Sequence, residues 1–209
     1  MVFFVGLVGF IGSGKNTVSS IFVRSGFKQE SLAAPLKDVC ARVFSWPREL
    51  LDGTSPRSRM WRELPDTYWS TKLGVIVTPR RALQWLGTDV FRNSFHQDVW
   101  LLSLLKRTQH DARVVVPDVR FKNEILAIQR AGGVIVRVKR GPDPLWFPVA
   151  AKASSGSLFS AVKMQALGIH ASEWEWTGCC EFDYVIENNG TLKDLEQAVQ
   201  TILNDIEDT

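Results

Sequence analysis

The sequence predicts an α/β fold of three layers, a mostly parallel, doubly wound sheet between helices. Three observations predict it. Strand-length runs at Val2–Val8, Arg113–Asp118 and Val134–Val138 have continuous rather than alternating apolar residues, as in strands covered on both faces. Stretches of helical periodicity lie between them, so strands and helices alternate along the chain. The first strand also runs directly into a glycine-rich loop that opens onto a helix.

The elements follow in order. The start of the chain, Met1 to Val8, is too short to span a membrane and lacks a basic start and a cleavage pattern, so it reads as a buried strand. Lys15 to Ser25 places Val18, Ile21 and Phe22 on one helical face, and Gly26 stops it. Pro35 to about Trp46 reads as a second helix with proline in its first turn. Trp46 to Leu73 is rich in Pro, Arg, Trp and Ser, which suggests short helices and loops over the sheet edge. Thr78-Pro79 starts another helix, with threonine as cap; its apolar residues pause after Val90 and resume at Val99 to Leu105, as two helices would.

Arg113 to Asp118 is a second buried strand ending in a carboxylate, and Phe121 to Ala131 a helix closed by Gly132-Gly133. Val134 to Val138 is a third strand. Gly141 to Glu173 breaks the alternation with Pro, Ser and Ala and reads as a mobile or partly helical lid. Tyr184 to Ile186 is a last short strand, and Thr191 to Asp205 a closing helix with Leu192, Leu195, Val199, Ile202 and Leu203 facing inward. With no internal repeat or long linker, the 209 residues read as one domain, 1–209. Within it lie an inserted segment at about 35–108 and the lid-like segment at about 141–173.

Composition narrows the function. Hydrophobic residues make up 45%, enough for a sizeable core, and the formal charge of +3 is too small to argue for a nucleic-acid surface. Three cysteines, Cys40 and the adjacent Cys179-Cys180, support neither a disulfide framework nor a zinc site. A reducing, cytoplasmic setting follows. The three histidines sit near no Ser or Cys nucleophile pattern, which leaves no case for a hydrolase triad.

The chemistry starts at Gly9, four residues, Gly14, Lys15, a Walker A pattern in its proper context of strand before and helix after. Glycines let the backbone wrap so that N–H groups of Gly12, Ser13 and Gly14 meet phosphate oxygens, and the helix start adds its positive end. Lys15 would sit on the β- and γ-phosphates of a nucleoside triphosphate, ATP as donor. Asn16 stands where a Ser or Thr usually holds Mg²⁺, with Thr17 one place later, so Asn16, Thr17 and the strand-end Asp118 are all candidates for the metal. Arg120 would project from that strand end towards phosphate, and Arg140 lies where the lid begins. As the bland alternative, Asp118 is a helix cap; both roles are compatible.

A second concentration runs from Arg80 to Arg92 and on to Trp100. Trp85, Phe91 or Trp100 could stack on a base, Gln84 or Asp89 could read its edge, and arginines could take its phosphate. By pattern alone an amphipathic core helix accounts for the stretch as well.

Several segments together carry a resemblance. The Gly-Ser-Gly-Lys-Asn-Thr loop is followed by Ala34-Pro35-Leu36-Lys37-Asp38 and Leu83-Gln84-Trp85-Leu86-Gly87-Thr88-Asp89-Val90-Phe91-Arg92. Then come Asp118-Val119-Arg120-Phe121-Lys122-Asn123-Glu124 and His170-Ala171-Ser172-Glu173. Their order resembles that of the deoxynucleoside monophosphate kinases of tailed bacteriophages, from residue 3 to about residue 200. One departure is Asn16, where that family usually has Asp. The tail from Asp183 to Thr191 also looks like the last strand and helix of dephospho-coenzyme A kinases. The resemblance implies a P-loop NTPase-type fold and a phage-encoded enzyme that works in the host cytoplasm on deoxynucleotide supply. The candidates for catalytic roles are Lys15, Arg120, Arg140, at the edge of the closing segment, and Asp118. Substrate-side candidates are Lys37, Arg81 and Arg92 for phosphate, Gln84, Trp85, Asp89 and Trp100 for the base, and Thr88, Glu124, Ser172 and Glu173 from the matching motifs.

The leading expectation is transfer of the ATP γ-phosphoryl group, with Mg²⁺, to a deoxynucleoside monophosphate. Alternatives are another acceptor, such as dephospho-coenzyme A or a hydroxymethylated base within DNA, or a non-catalytic nucleotide switch. A second nucleotide pocket argues against the switch, and the weak net charge mildly against a polymer. Eight tryptophans and the apolar 95–105 stretch leave room for a homodimer; no stable nucleic-acid or membrane partner is expected.

Overall fold

A computed structural model describes residues 2–178 and 182–208. The Cys179-Cys180 pair and Met1 lie outside the described residues. Along the chain the elements are β1 (Phe3–Val8), α1 (Lys15–Arg24), β2 (Lys28–Gln29), α2 (Ala34–Phe44), α3 (Pro56–Trp61), α4 (Thr67–Leu73) and α5 (Pro79–Gln84). A π-helix, Trp85–Phe95, follows. Then come α6 (Val99–Thr108), β3 (Arg113–Val116), α7 (Lys122–Arg130), β4 (Val134–Lys139), α8 (Phe147–Ser154), α9 (Leu158–Ala166), β5 (Tyr184–Glu187) and α10 (Leu192–Glu207).

The chain divides into two compact units, residues 1–31 with 104–209, and residues 32–103. In sequence, residues 32–103 interrupt the first unit.

The first unit holds a five-stranded, all-parallel sheet in the order β2-β3-β1-β4-β5. The continuous apolar runs become the three central strands, and alternate residues serve alternate faces. Val5 and Leu7, with Val115, Val136 and Val138, pack with Val18, Ile21 and Phe22 of α1 and Leu195, Val199, Ile202 and Leu203 of α10. On the other face Gly6 lies so close to Ile135 and Ile128 that a Cβ would meet their methyl ends at 2.6 and 2.9 Å. That approach lets α7 lie on β1 and β4, which completes the three layers. The short edge strand β2 was absent from the sequence reading. Lys28 and Gln29 are polar and exposed, and their pairing with Val114 and Val115 is the signature, which no local periodicity carries.

The lid-like segment is helical over α8 and α9, which share a small core of Ala150, Ala153, Met164 and Trp174. The 46–73 stretch forms a 3₁₀ turn at Arg48–Leu51 and the short helices α3 and α4, capped by Ser55 and Asp66. Of its tryptophans, Trp46 is buried and Trp61 and Trp69 are half-buried. Trp46 stacks on Phe44 at 4.3 Å, and its indole N–H donates to Asp66 at 2.7 Å. Trp69 meets Phe44 edge-on and donates to its carbonyl.

Thr78 caps α5 as expected, but the helix continues past Gln84 as a π-helix to Phe95, where the His96 N–H returns to the Phe91 carbonyl five residues back. The break before α6 falls at residues 96–98. No helix among the described residues is long and apolar enough to cross a membrane.

Candidate active site

The loop between β1 and α1 is shaped by left-handed glycines. Gly9, Gly12 and Gly14 have φ of 144, 83 and 104°, a region that L side chains rarely adopt. At Gly9 a side chain would strike the Val138 carbonyl of β4, and at Gly14 the side-chain amide of Asn188. Helix α1 begins at Lys15 with Gly14 as its N-cap and no side-chain cap, so its first N–H groups are left for an anion.

Lys15 folds back over this loop. Its ammonium donates to the carbonyls of Gly9 at 2.6 Å and Phe10 at 2.9 Å. Burial lowers its pKa from 10.5 to about 8; the neighbouring Arg120 guanidinium acts in the same direction, while Glu173 and Asp118 oppose it. These influences place Lys15, Asp118, Arg120 and Glu173 in one electrostatic neighbourhood, although more than a hundred residues separate Lys15 from the other three.

Each partner is held by the fold. Asp118 lies two residues past β3, and its carboxylate accepts the Ser31 hydroxyl at 2.7 Å. Arg120 donates to the Ser172 carbonyl at 3.1 Å and to Glu173 at 3.2 Å, tying the exit of β3 to the 170–173 segment. Ser172 and His170 bond one another. Glu124, 2% exposed, accepts the backbone N–H groups of Arg120 and Phe121 at 2.8 and 3.0 Å, so its carboxylate works as a capping group for α7. Arg140 lines a cleft of about 100 Å³ with Phe10, Gly12, Ser13 and Trp176. Arg137 lines the same cleft. It bonds Asp143 at 2.6 Å, and its guanidinium lies over the Phe147 ring at 4.9 Å.

The metal question turns on donor chemistry. Asn16 and Thr17 are exposed in the first turn of α1, and Asp118 supplies one carboxylate. Among the described residues no group of three His, Cys, Asp or Glu is placed to hold a metal. One carboxylate with hard oxygen donors suits Mg²⁺ that arrives on a polyphosphate, since that ion keeps several waters and takes phosphate oxygens as ligands.

In the second unit, Lys37 on α2 pairs with Asp52 at 3.0 Å, and Arg48 pairs with Asp52 and Asp38. Arg81 is exposed and donates to the Ile76 carbonyl. Gln84, Thr88 and Arg92 recur every four residues, close to the 4.4 of a π turn, and so fall nearly in line. Thr88 and Arg92 are buried, Gln84 is half-buried, and Trp85 and Asp89 face outward. Trp100 is buried; its indole N–H donates to the Gly87 carbonyl at 2.9 Å, and its ring lies 5.0 Å from Phe91.

Two residues of the site, Ser31 and Asn188, carry little signal in the sequence. Ser31 escaped because nothing marks a serine after a two-residue strand. Asn188 stood in the resembling tail but was given no role; an Asn-Asn-Gly run directly after a strand was the available signal.

A family model for deoxynucleotide monophosphate kinases matches residues 60–143. A protein of Acanthamoeba polyphaga mimivirus, assigned as a deoxynucleotide monophosphate kinase, is 31% identical over 205 residues, covering 91% of this chain and 90% of its own. Among solved structures, TT1252 from Thermus thermophilus is 22% identical, with a TM-score of 0.47 over 98% of this chain and 97% of that one. A dephospho-CoA kinase from Campylobacter jejuni is 17% identical, with a TM-score of 0.42 over 97% and 96%.

Proposed function

Since the chain belongs to the deoxynucleotide monophosphate kinase family, whose members are phosphotransferases, we propose that it transfers the γ-phosphoryl group of ATP to a deoxynucleoside 5'-monophosphate, yielding the diphosphate for viral DNA synthesis. The observation that carries this reading is the convergence of Lys15, Asp118, Arg120 and Glu173 at the mouth of the glycine loop.

The acceptor phosphate has a second pKa of about 6 and is already ionised at neutral pH, so no general base is required. What the reaction requires is positive charge and alignment. Lys15 exchanges the Gly9 and Phe10 carbonyls for the β- and γ-phosphate oxygens, whose negative charge offsets the burial of its ammonium. Arg120 turns to the transferring group, which loosens its hold on Ser172 and Glu173 and couples phosphate binding to the 170–173 segment. Arg140 approaches from the end of β4. Mg²⁺, held by Asp118 with Asn16 or Thr17 and the phosphates, would supply further charge neutralisation.

The second unit is assigned the acceptor. Arg92, Arg81 and Lys37 serve its phosphate, and Lys37 must leave Asp52 to do so. Gln84, Thr88 and Asp89 read the base, and Trp85 is the exposed ring able to stack on it. The helices α8 and α9, in the same unit as the glycine loop, close over the donor and exclude water.

A coupled ATP-consumption assay over a panel of deoxynucleoside monophosphates tests the proposal. Turnover with at least one of them, dependent on Mg²⁺, is expected. Turnover confined to dephospho-coenzyme A or to a hydroxymethylated base in DNA, or slow ATP hydrolysis with no acceptor effect, would overturn it.

A further inference from the structure

Asn188 is the first residue beyond β5, at the far edge of the sheet from the loop's own neighbours in sequence. Its backbone N–H donates to the Lys139 carbonyl at 2.7 Å, continuing the pairing of β5 with β4 by one residue. That bond fixes where its side chain starts. The side-chain amide then donates to the Ser13 carbonyl at 2.8 Å, bridging 175 positions of sequence. The contact is close enough that a Cβ on Gly14 would collide with the same amide.

The consequence lies in the peptide plane. Ser13 and Gly14 share one peptide unit, and no peptide bond of the described chain is cis. In a trans peptide the C=O and N–H point in opposite directions. A donor that captures the Ser13 carbonyl therefore turns the Gly14 N–H the other way, away from Asn188. Gly14 has no side chain to resist either orientation, and at φ of 104° it sits where glycine moves freely. An unbraced Ser13–Gly14 peptide would be able to flip.

We infer that Asn188 is a positioning residue for the phosphate loop, which aims the Gly14 amide at the donor's phosphates by holding the Ser13 carbonyl from behind. This rests on the loop being the donor site, but on nothing about the acceptor. The role differs from that of a group touching the base of the nucleotide, because it acts on the phosphate chain alone.

The experiment measures binding of ATP and of inorganic tripolyphosphate to wild type, Asn188→Ala and Asn188→Asp, with circular dichroism to verify folding. Loss of one buried hydrogen bond and of a preset amide is expected to weaken both ligands about tenfold in Asn188→Ala. Asn188→Asp, which sets a carboxylate oxygen against the Ser13 carbonyl, should weaken them further. In turnover assays the KM for ATP should rise in step while the KM for the acceptor and kcat at saturating ATP stay within about twofold. Folded Asn188→Ala that binds tripolyphosphate as tightly as wild type would overturn the inference and leave the donor site standing. Wild type that binds neither ligand would remove both. If the variants fail to fold, a crystal structure of the wild type with ADP decides: Asn188 within hydrogen-bond distance of the Ser13 carbonyl supports the brace, and its absence there ends it.

Discussion

Lys15 occupies a place where its charge is disfavoured unless an anion shares it. Burial, aided by Arg120 and opposed by Glu173 and Asp118, takes its pKa from 10.5 down to about 8. Between those values the unfolded chain holds a proton that the folded chain has released, so this group makes stability rise with pH across the window. Below pH 8 the penalty is fully present, on the order of 3 kcal/mol. Lys15→Met keeps the length of the side chain without the charge. Its unfolding midpoint at pH 7 is expected to lie a few degrees above that of wild type, the gap closing as pH approaches 10, while phosphoryl transfer is lost. Calorimetry of both proteins at the two pH values checks this, and a variant less stable than wild type at pH 7 contradicts it. The place of Lys15 at the end of the glycine loop was legible from the glycine spacing alone, because the loop is built from neighbours in sequence. The Ser31–Asp118 bond and the Asn188 brace were not, since they join residues 87 and 175 positions apart and leave no trace in any local pattern.

At the scale of elements, the central strands and the helices α1, α7 and α10 could be read from apolar runs and stop signals, because one buried face dictates their period. The π-helix could not. Its apolar residues fit an ordinary amphipathic helix, and what distinguishes it is tertiary contact at Gly87. There the Trp100 indole takes the carbonyl, and the Leu36 side chain of α2 fills the space of a missing Cβ, which would stand 2.6 Å from Leu36 Cδ2. Gly87→Ala therefore forces Leu36 to move within a packed core, at a cost of roughly 1–3 kcal/mol. The added methyl is not the whole test, because alanine also favours helix over glycine by about 1 kcal/mol. Combining it with Leu36→Ala separates the two. Leu36→Ala alone should destabilise, and the double variant should be more stable than the sum of the single effects, with a coupling of about 1 kcal/mol or more. Denaturant midpoints of the four proteins measure it. Strict additivity would mean that Gly87 and Leu36 do not share the space.

For the whole molecule, the proposed function puts its donor-side residues in the unit 1–31 with 104–209 and its acceptor-side residues in the unit 32–103. The glycine loop, Asp118, Arg120, Arg140 and the 170–173 segment all belong to the first unit; Lys37, Arg81, Gln84, Thr88 and Arg92 all belong to the second. A non-hydrolysable ATP analogue given alone should thus slow amide hydrogen exchange in the loop and first turn of α1, residues 9–17, since their N–H groups gain phosphate partners. A deoxynucleoside monophosphate given alone should instead protect residues 79–95, where opening of the π-helix would have to release the ligand first. Both ligands together should protect both regions and add residues 141–173 if that segment closes. The pattern separates the proposal from a nucleotide switch, which has one nucleotide and no ligand of its own for the second unit. Monophosphate protection restricted to 9–17 would show that the acceptor competes for the donor loop, and the assignment of residues 32–103 to the acceptor would fall while the loop chemistry survived.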